Sequence, residues 1–131
     1  MDMEVYFPGN KRVYARYKGF TVETDQPVQA DGDGTALSPF DLFMVSIGTC
    51  AGFYALSFLQ KRGLPTEGAG VVLRQDRDPQ THLVSRISVE IKLPASFPEK
   101  YRDAIVRAVE GCTVKRHLDN PPAFETYTTG G

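Results

Sequence analysis

The chain has 131 residues, 41% of them hydrophobic and 24% charged, with a formal net charge of −1. That length fits one domain, expected over residues 1–131, and buries enough surface to fold without a disulfide or metal staple. The charge balance excludes a non-specific nucleic-acid binder, which needs a large basic excess, and the composition excludes a disordered chain.

Residues 2–7 and 11–17 read as short strands around the turn Pro8-Gly9-Asn10. In the second, Val13, Ala15 and Tyr17 alternate with Arg12, Tyr14 and Arg16. Phe20 to Thr24 continues as a strand after Gly19, and the Pro-, Asp- and Gly-rich stretch 25–37 reads as an irregular loop. A long helix starts at Ser38, a good N-cap followed by Pro39 at the first helical position and by Asp41 in a capping-box position. It runs to about Arg62, where Gly63 stops it. Between Phe40 and Leu59 its only charge is Asp41, so it is either a buried core helix or a membrane span. Ser46, Thr49 and Ser57 interrupt it and strands flank it, which points to the core helix. Val71 to Arg77 and residues 83–93 read as strands, the second alternating Leu83, Ile87, Val89, Ile91 and Leu93 with polar residues. Residues 98–110 form an amphipathic helix with Tyr101, Ile105, Ala108 and Val109 on its apolar stripe, and Gly111 breaks it. A short helix over 113–118 and a last strand from Phe124 to Tyr127 complete an α+β order.

The two cysteines, Cys50 and Cys112, are too few for a disulfide framework. The first twenty residues carry charges throughout and no long apolar run, so a cytoplasmic location is expected. There, such a pair is either two buried small hydrophobes or a redox pair. On the long helix, Phe43, Ser46, Ile47, Phe53, Tyr54 and Ser57 fall within about 60° of Cys50, an aromatic wall that suits an apolar substrate tail or a plain core. Gly48, Gly52, Ala55 and Leu59 face the other way and permit another helix or a sheet to approach closely. Cys50 lies too far along the helix for the macrodipole to acidify it, so a cation must come from elsewhere; Arg12 and Arg16, on one strand face, are candidates. Cys112 follows a helix break and precedes Lys115, Arg116 and His117, a setting that can acidify a thiol. The Asp31-Gly32-Asp33-Gly34 loop lacks the remaining ligands of a calcium loop. Cys112 and His117 have no second Cys/His pair, so no metal or cofactor is expected.

The stretch Ser38-Pro39-Phe40-Asp41-Leu42-Phe43-Met44-Val45-Ser46-Ile47-Gly48-Thr49-Cys50-Ala51 resembles the central-helix motif of the OsmC/Ohr family of osmotically inducible and organic-hydroperoxide-resistance proteins. Cys112-Thr113-Val114-Lys115-Arg116-His117-Leu118-Asp119-Asn120-Pro121 resembles that family's Cys-Pro-Val…Leu segment. The resemblance implies antiparallel sheets wrapped around long central helices in an intertwined homodimer, with two active sites at the interface. It further implies a thiol-dependent peroxidase in which Cys50 becomes a sulfenic acid, Cys112 resolves it as a disulfide, and an external dithiol restores both. Arg16, in Arg16-Tyr17-Lys18-Gly19, is the best match to the family's N-terminal Arg, and Phe43, Phe53 and Tyr54 would line the substrate, a small hydroperoxide or other apolar ligand. Neither nucleic acid nor membrane is an expected partner. The family's peroxidases carry a Glu ten residues before the helix Cys, where this chain has Phe40; Asp41, nine before, points about 180° from Cys50 and cannot replace it. That departure keeps an alternative in place: a non-catalytic OsmC-like dimer that binds a small ligand or senses thiol redox state.

Overall fold

The computed structural model describes residues 2–131. Its contacts gather into two compact units, the first running to Val45 and the second Ser46–Gly131. The fold is α+β, with two small antiparallel sheets and three helices.

The first unit is a three-stranded meander, β1 (Glu4–Gly9), β2 (Arg12–Tyr17) and β3 (Phe20–Thr24), in sheet order β1-β2-β3. Tyr17 pairs with Phe20 across the two-residue turn Lys18-Gly19, where both residues have positive φ (52° and 81°), as a type I′ hairpin demands. The expected loop after β3 is organised around Asp25, which is fully buried. Its carboxylate accepts the Gln26 N–H at 2.7 Å, the Thr35 N–H at 3.0 Å and the Thr35 hydroxyl at 2.6 Å. These bonds, led by the Thr35 hydroxyl, hold the Asp25 carboxyl down at about 2.

Helix α1 (Pro39–Lys61) begins in the first unit and continues into the second. Its start is a reciprocal capping box: the Asp41 N–H donates to Ser38 Oγ at 3.1 Å, and the Ser38 N–H donates to Asp41 Oδ2 at 3.1 Å. Its end is a Schellman turn. Gly63, at φ 63°, donates to the Gln60 carbonyl at 3.1 Å and Leu64 donates to that of Leu59 at 2.9 Å.

In the second unit, β4 (Gly70–Arg77) and β5 (Val84–Lys92) form a hairpin. A single 3₁₀ turn, Glu99–Tyr101, leads into α2 (Arg102–Glu110), and α3 (Thr113–Asp119) follows after Gly111. The core gathers Ala51, Ala55, Phe58 and Leu59 of α1 with Phe97, Ile105 and Val109. Val71 of β4 and Ile91 of β5 pack against it. The small-residue side of α1 is the side the hairpin approaches: a Cβ on Gly48 would meet Leu73 Cδ2 at 4.0 Å. α1 is long and apolar enough to cross a membrane by length and composition, yet its Ile47, Ala51, Ala55, Phe58 and Leu59 are buried in the protein.

The strand expected from Phe124 to Tyr127 does not form. Residues 121–131 have no regular structure, and Phe124 is 90% exposed. Its alternating residues meet no neighbouring strand among the described residues, and a lone strand cannot satisfy its backbone or bury a face.

Candidate functional site

Cys50 lies in the middle of α1, half-buried, whereas Cys112 is 2% exposed at the N-cap of α3. The two side chains are neighbours, close enough for the Cys50 sulfur to raise the Cys112 thiol. The Val114 N–H, in the first turn of α3, donates to Cys50 Sγ at 3.5 Å. The fold thus brings together the two cysteines that the sequence separates, and it leaves both as free thiols.

The sequence setting of Cys112 suggested an acidified thiol. The opposite dominates: burial pushes the Cys112 thiol up, and the adjacent Cys50 sulfur adds to this, while the backbone N–H and charge of Lys115 pull the other way. Being buried costs the thiolate its hydration, and one backbone donor with one solvated cation does not make up for that.

Beside the thiols lies a hydroxyl and guanidinium cluster that sequence reasoning did not assemble. Tyr54, one turn after Cys50, shares a 2.7 Å hydrogen bond with the hydroxyl of Thr113, the residue after Cys112. Arg116 Nη2 donates to both, to Thr113 Oγ1 at 3.3 Å and to Tyr54 Oη at 3.5 Å. His117 Nδ1 lies 2.7 Å from the Thr113 carbonyl. The available signal was the i, i+4 spacing of Cys50 and Tyr54 on one helix face and the run of cations after Cys112; only the fold could pair them.

The remaining expected site residues are placed as follows. The Phe53 ring meets that of Tyr54 edge-on at 5.7 Å, and the two line one shallow groove with Phe58, Lys61, Arg62 and Arg107. Phe43 lies about two turns before Cys50 along α1, in the first unit, with its ring 5.5 Å from that of Phe40. Arg16 also belongs to the first unit. Its guanidinium lies over the Tyr6 ring at 4.1 Å and reaches Glu4 at 4.0 Å. Arg12, the other candidate cation, is held by Asp33 at 2.8 Å. Asp41 is occupied by its capping role.

A mostly apolar cavity of about 480 Å³ adjoins Cys112, walled by Ile47 and Ala51 of α1, Val89 of β5 and Ile105 and Val109 of α2, with charged residues such as Asp103 and Lys115 also in its lining. Among the described residues no group of three or more His, Cys, Asp or Glu is arranged to hold a metal ion.

Comparison with solved structures finds the same fold in several bacterial proteins. A Psychrobacter arcticus protein described as an osmotic stress induced and detoxification response protein superposes with a TM-score of 0.73 at 21% identity, over 87% of this chain and 85% of that one. An OsmC-like protein from Mycoplasma pneumoniae superposes with a TM-score of 0.71 at 12% identity, over 92% and 87%. An organic hydroperoxide resistance protein, OsmC, from Legionella pneumophila does so with a TM-score of 0.55 at 13% identity, over 89% and 87%. No curated protein matches the chain. The family described as OsmC-like protein matches residues 32–127, a span that holds α1, both sheet strands of the second unit and both cysteines, and the chain belongs to that family.

Proposed function

We propose that the protein is a thiol-dependent peroxidase that reduces organic hydroperoxides, working as a cytoplasmic homodimer. The observation that carries this reading is the pairing of a half-buried helix thiol, Cys50, with a nearby buried thiol, Cys112, whose helix donates the Val114 N–H to the Cys50 sulfur. The name of the Legionella pneumophila relative points to the same substrate class.

In the first step the Cys50 sulfur attacks the terminal peroxide oxygen. The O–O bond breaks, the alcohol leaves and Cys50 becomes a sulfenic acid. The Cys112 sulfur then attacks Cys50, the hydroxyl leaves as water, and a Cys50–Cys112 disulfide remains. An external dithiol returns both to thiols and is itself oxidised to a disulfide. Phe43, Phe53 and Tyr54 offer the apolar wall for the organic tail, and Arg16 is the cation assigned to the Cys50 thiolate. Dimerisation is supported by α1, whose Phe53 and Leu56 are 62% and 39% exposed on the side the second unit leaves uncovered.

A second reading has one observation in its favour. Phe40 occupies the place where the peroxidases of the family carry Glu, so the protein would be a dimer that binds a small ligand or senses thiol oxidation without turnover.

Stopped-flow consumption of cumene hydroperoxide by the reduced protein separates the two. The peroxidase reading expects one equivalent to be consumed with formation of the Cys50–Cys112 bridge, and no consumption by Cys50→Ser. Cys112→Ser should stop at the sulfenic acid and climb to sulfinic acid with excess peroxide. A reduced wild-type protein that leaves the hydroperoxide intact ends the peroxidase reading. Phe40→Glu then probes the departure: it should speed the reaction while Arg16 is present and not in Arg16→Ala.

A further inference from the structure

α3 is an unexpected place to anchor a reactive thiol. It has seven residues, none of them buried, and no side chain caps its first turn. A helix this short does not hold itself together in water. Yet its start must keep Cys112 against Cys50, and its Val114 N–H reaches the Cys50 sulfur. Something outside the helix fixes that turn.

The geometry points to Tyr54 and Thr113, bridged by their hydroxyls and covered by Arg116, as a clasp that holds Cys112 in bonding reach of Cys50. The two contacts form adjacent rungs between the same pair of helices. Cys50 and Tyr54 are successive positions on one face of α1, and Cys112 and Thr113 are successive residues at the start of α3. On one rung the Val114 N–H, two residues after Cys112, donates to the Cys50 sulfur at 3.5 Å; on the next the hydroxyls share a 2.7 Å bond. Arg116, from the following turn of α3, donates to both oxygens and so ties the turn to itself as well as to α1. Tyr54 and Thr113 act here as positioning residues: neither touches a reacting atom, and both act through the separation of the sulfurs. The catalytic meaning of the clasp rests on the peroxidase reading, but its effect on the thiol pair does not.

The test is the equilibrium of the purified full-length protein with glutathione. Two glutathione thiols reduce the Cys50–Cys112 disulfide to the dithiol and become one glutathione disulfide, so the equilibrium constant gives the effective concentration of one protein thiol at the other. Tyr54→Phe and Thr113→Val should each lower that value by about three- to tenfold, the range expected for one hydrogen bond. The double variant should fall no further than the worse single variant, because both remove the same bond. Thr113→Ser keeps the hydroxyl and should restore the wild-type value, an outcome that a general loosening of the fold would not produce. Single variants that stay within about twofold of wild type overturn the clasp, as does a wild-type protein that forms no Cys50–Cys112 bridge in the most oxidising glutathione buffer. If the variants shift as expected but the wild type consumes no hydroperoxide, the peroxidase reading fails and the clasp stands.

Discussion

Helices α1 and α2 solve the same problem from opposite starting points. In α2, charges mark the wet side: Ile105 and Val109 are buried while Arg102, Asp103 and Arg107 face outward. In α1 almost nothing is charged, so the sequence marks no wet side at all, and the second unit covers only the sector from Ile47 through Ala51 and Ala55 to Leu59. Across the helix from that sector, Phe53 and Leu56 stay exposed. The difference teaches that charges assign the wet side of α2, where Val106 is the one large apolar residue left 44% exposed, whereas α1 keeps its open side apolar. Apolar residues kept at open positions are the mark of a surface that another molecule covers.

The sharpest way to break this comparison is to cut into the two sides of α1 in turn. Leu59 is 2% exposed, and Leu59→Ala should cost about 2–5 kcal/mol in urea unfolding, the range for a large core truncation. Leu56→Ala, measured at a concentration where the chain is dissociated, should cost no more than about 1 kcal/mol. Equal costs would show that the two sides are not distinct. Next in size is Phe53→Glu, which places a charge on the open side. It should weaken self-association at least about tenfold in sedimentation. A wild-type chain that sediments as a folded monomer at micromolar concentration would remove the reason for the open face.

Smaller effects should spare the open face altogether. Ser38→Ala removes one half of the capping box and should cost about 1 kcal/mol in thermal or urea unfolding without changing association. If sedimentation changes as well, the start of α1 is coupled to whatever covers its side. The mildest test is pH. The Asp25 carboxyl sits at about 2 in the folded protein against an ordinary 3.8, so its ion is favoured by folding. That stabilisation is complete above about pH 4 and is lost as pH falls through about 2. Asp25→Asn should flatten the acid side of the stability curve. An unchanged acid limb would show that the loop bonds contribute nothing measurable.

The bounds of α1 were legible because capping is local chemistry: Ser38, Pro39, Asp41 and Gly63 each act within one turn. The hairpin strands were legible for a similar reason, since alternation and turn residues state their own register. The side of α1 that packs was only half legible. Gly48 and Gly52 indicated where a neighbour could come close, but nothing distinguished a covered Ala51 from an open Phe53. Phe124 to Tyr127 carried a strand-like pattern without a strand to pair with, and pairing is a long-range fact. Both cysteines stood out from the sequence, but the raised Cys112 thiol did not: its cations are near in sequence, while the burial that outweighs them comes from α1 and α2.

The burial of Cys112 also sets the direction in which the bridge would open. Reduction begins with a thiolate attacking one of the two sulfurs along the S–S axis, and it expels the other as the leaving group. With Cys112 2% exposed and Cys50 half-buried, an incoming dithiol meets the Cys50 sulfur, and the mixed disulfide forms there. Cys112 is then the departing group, and a thiol held above its ordinary range departs slowly. The oxidised protein should therefore reach equilibrium slowly with a monothiol such as glutathione and faster with a dithiol whose second sulfur can follow the first, so the depth of one side chain bears on the rate at which each kind of reductant acts.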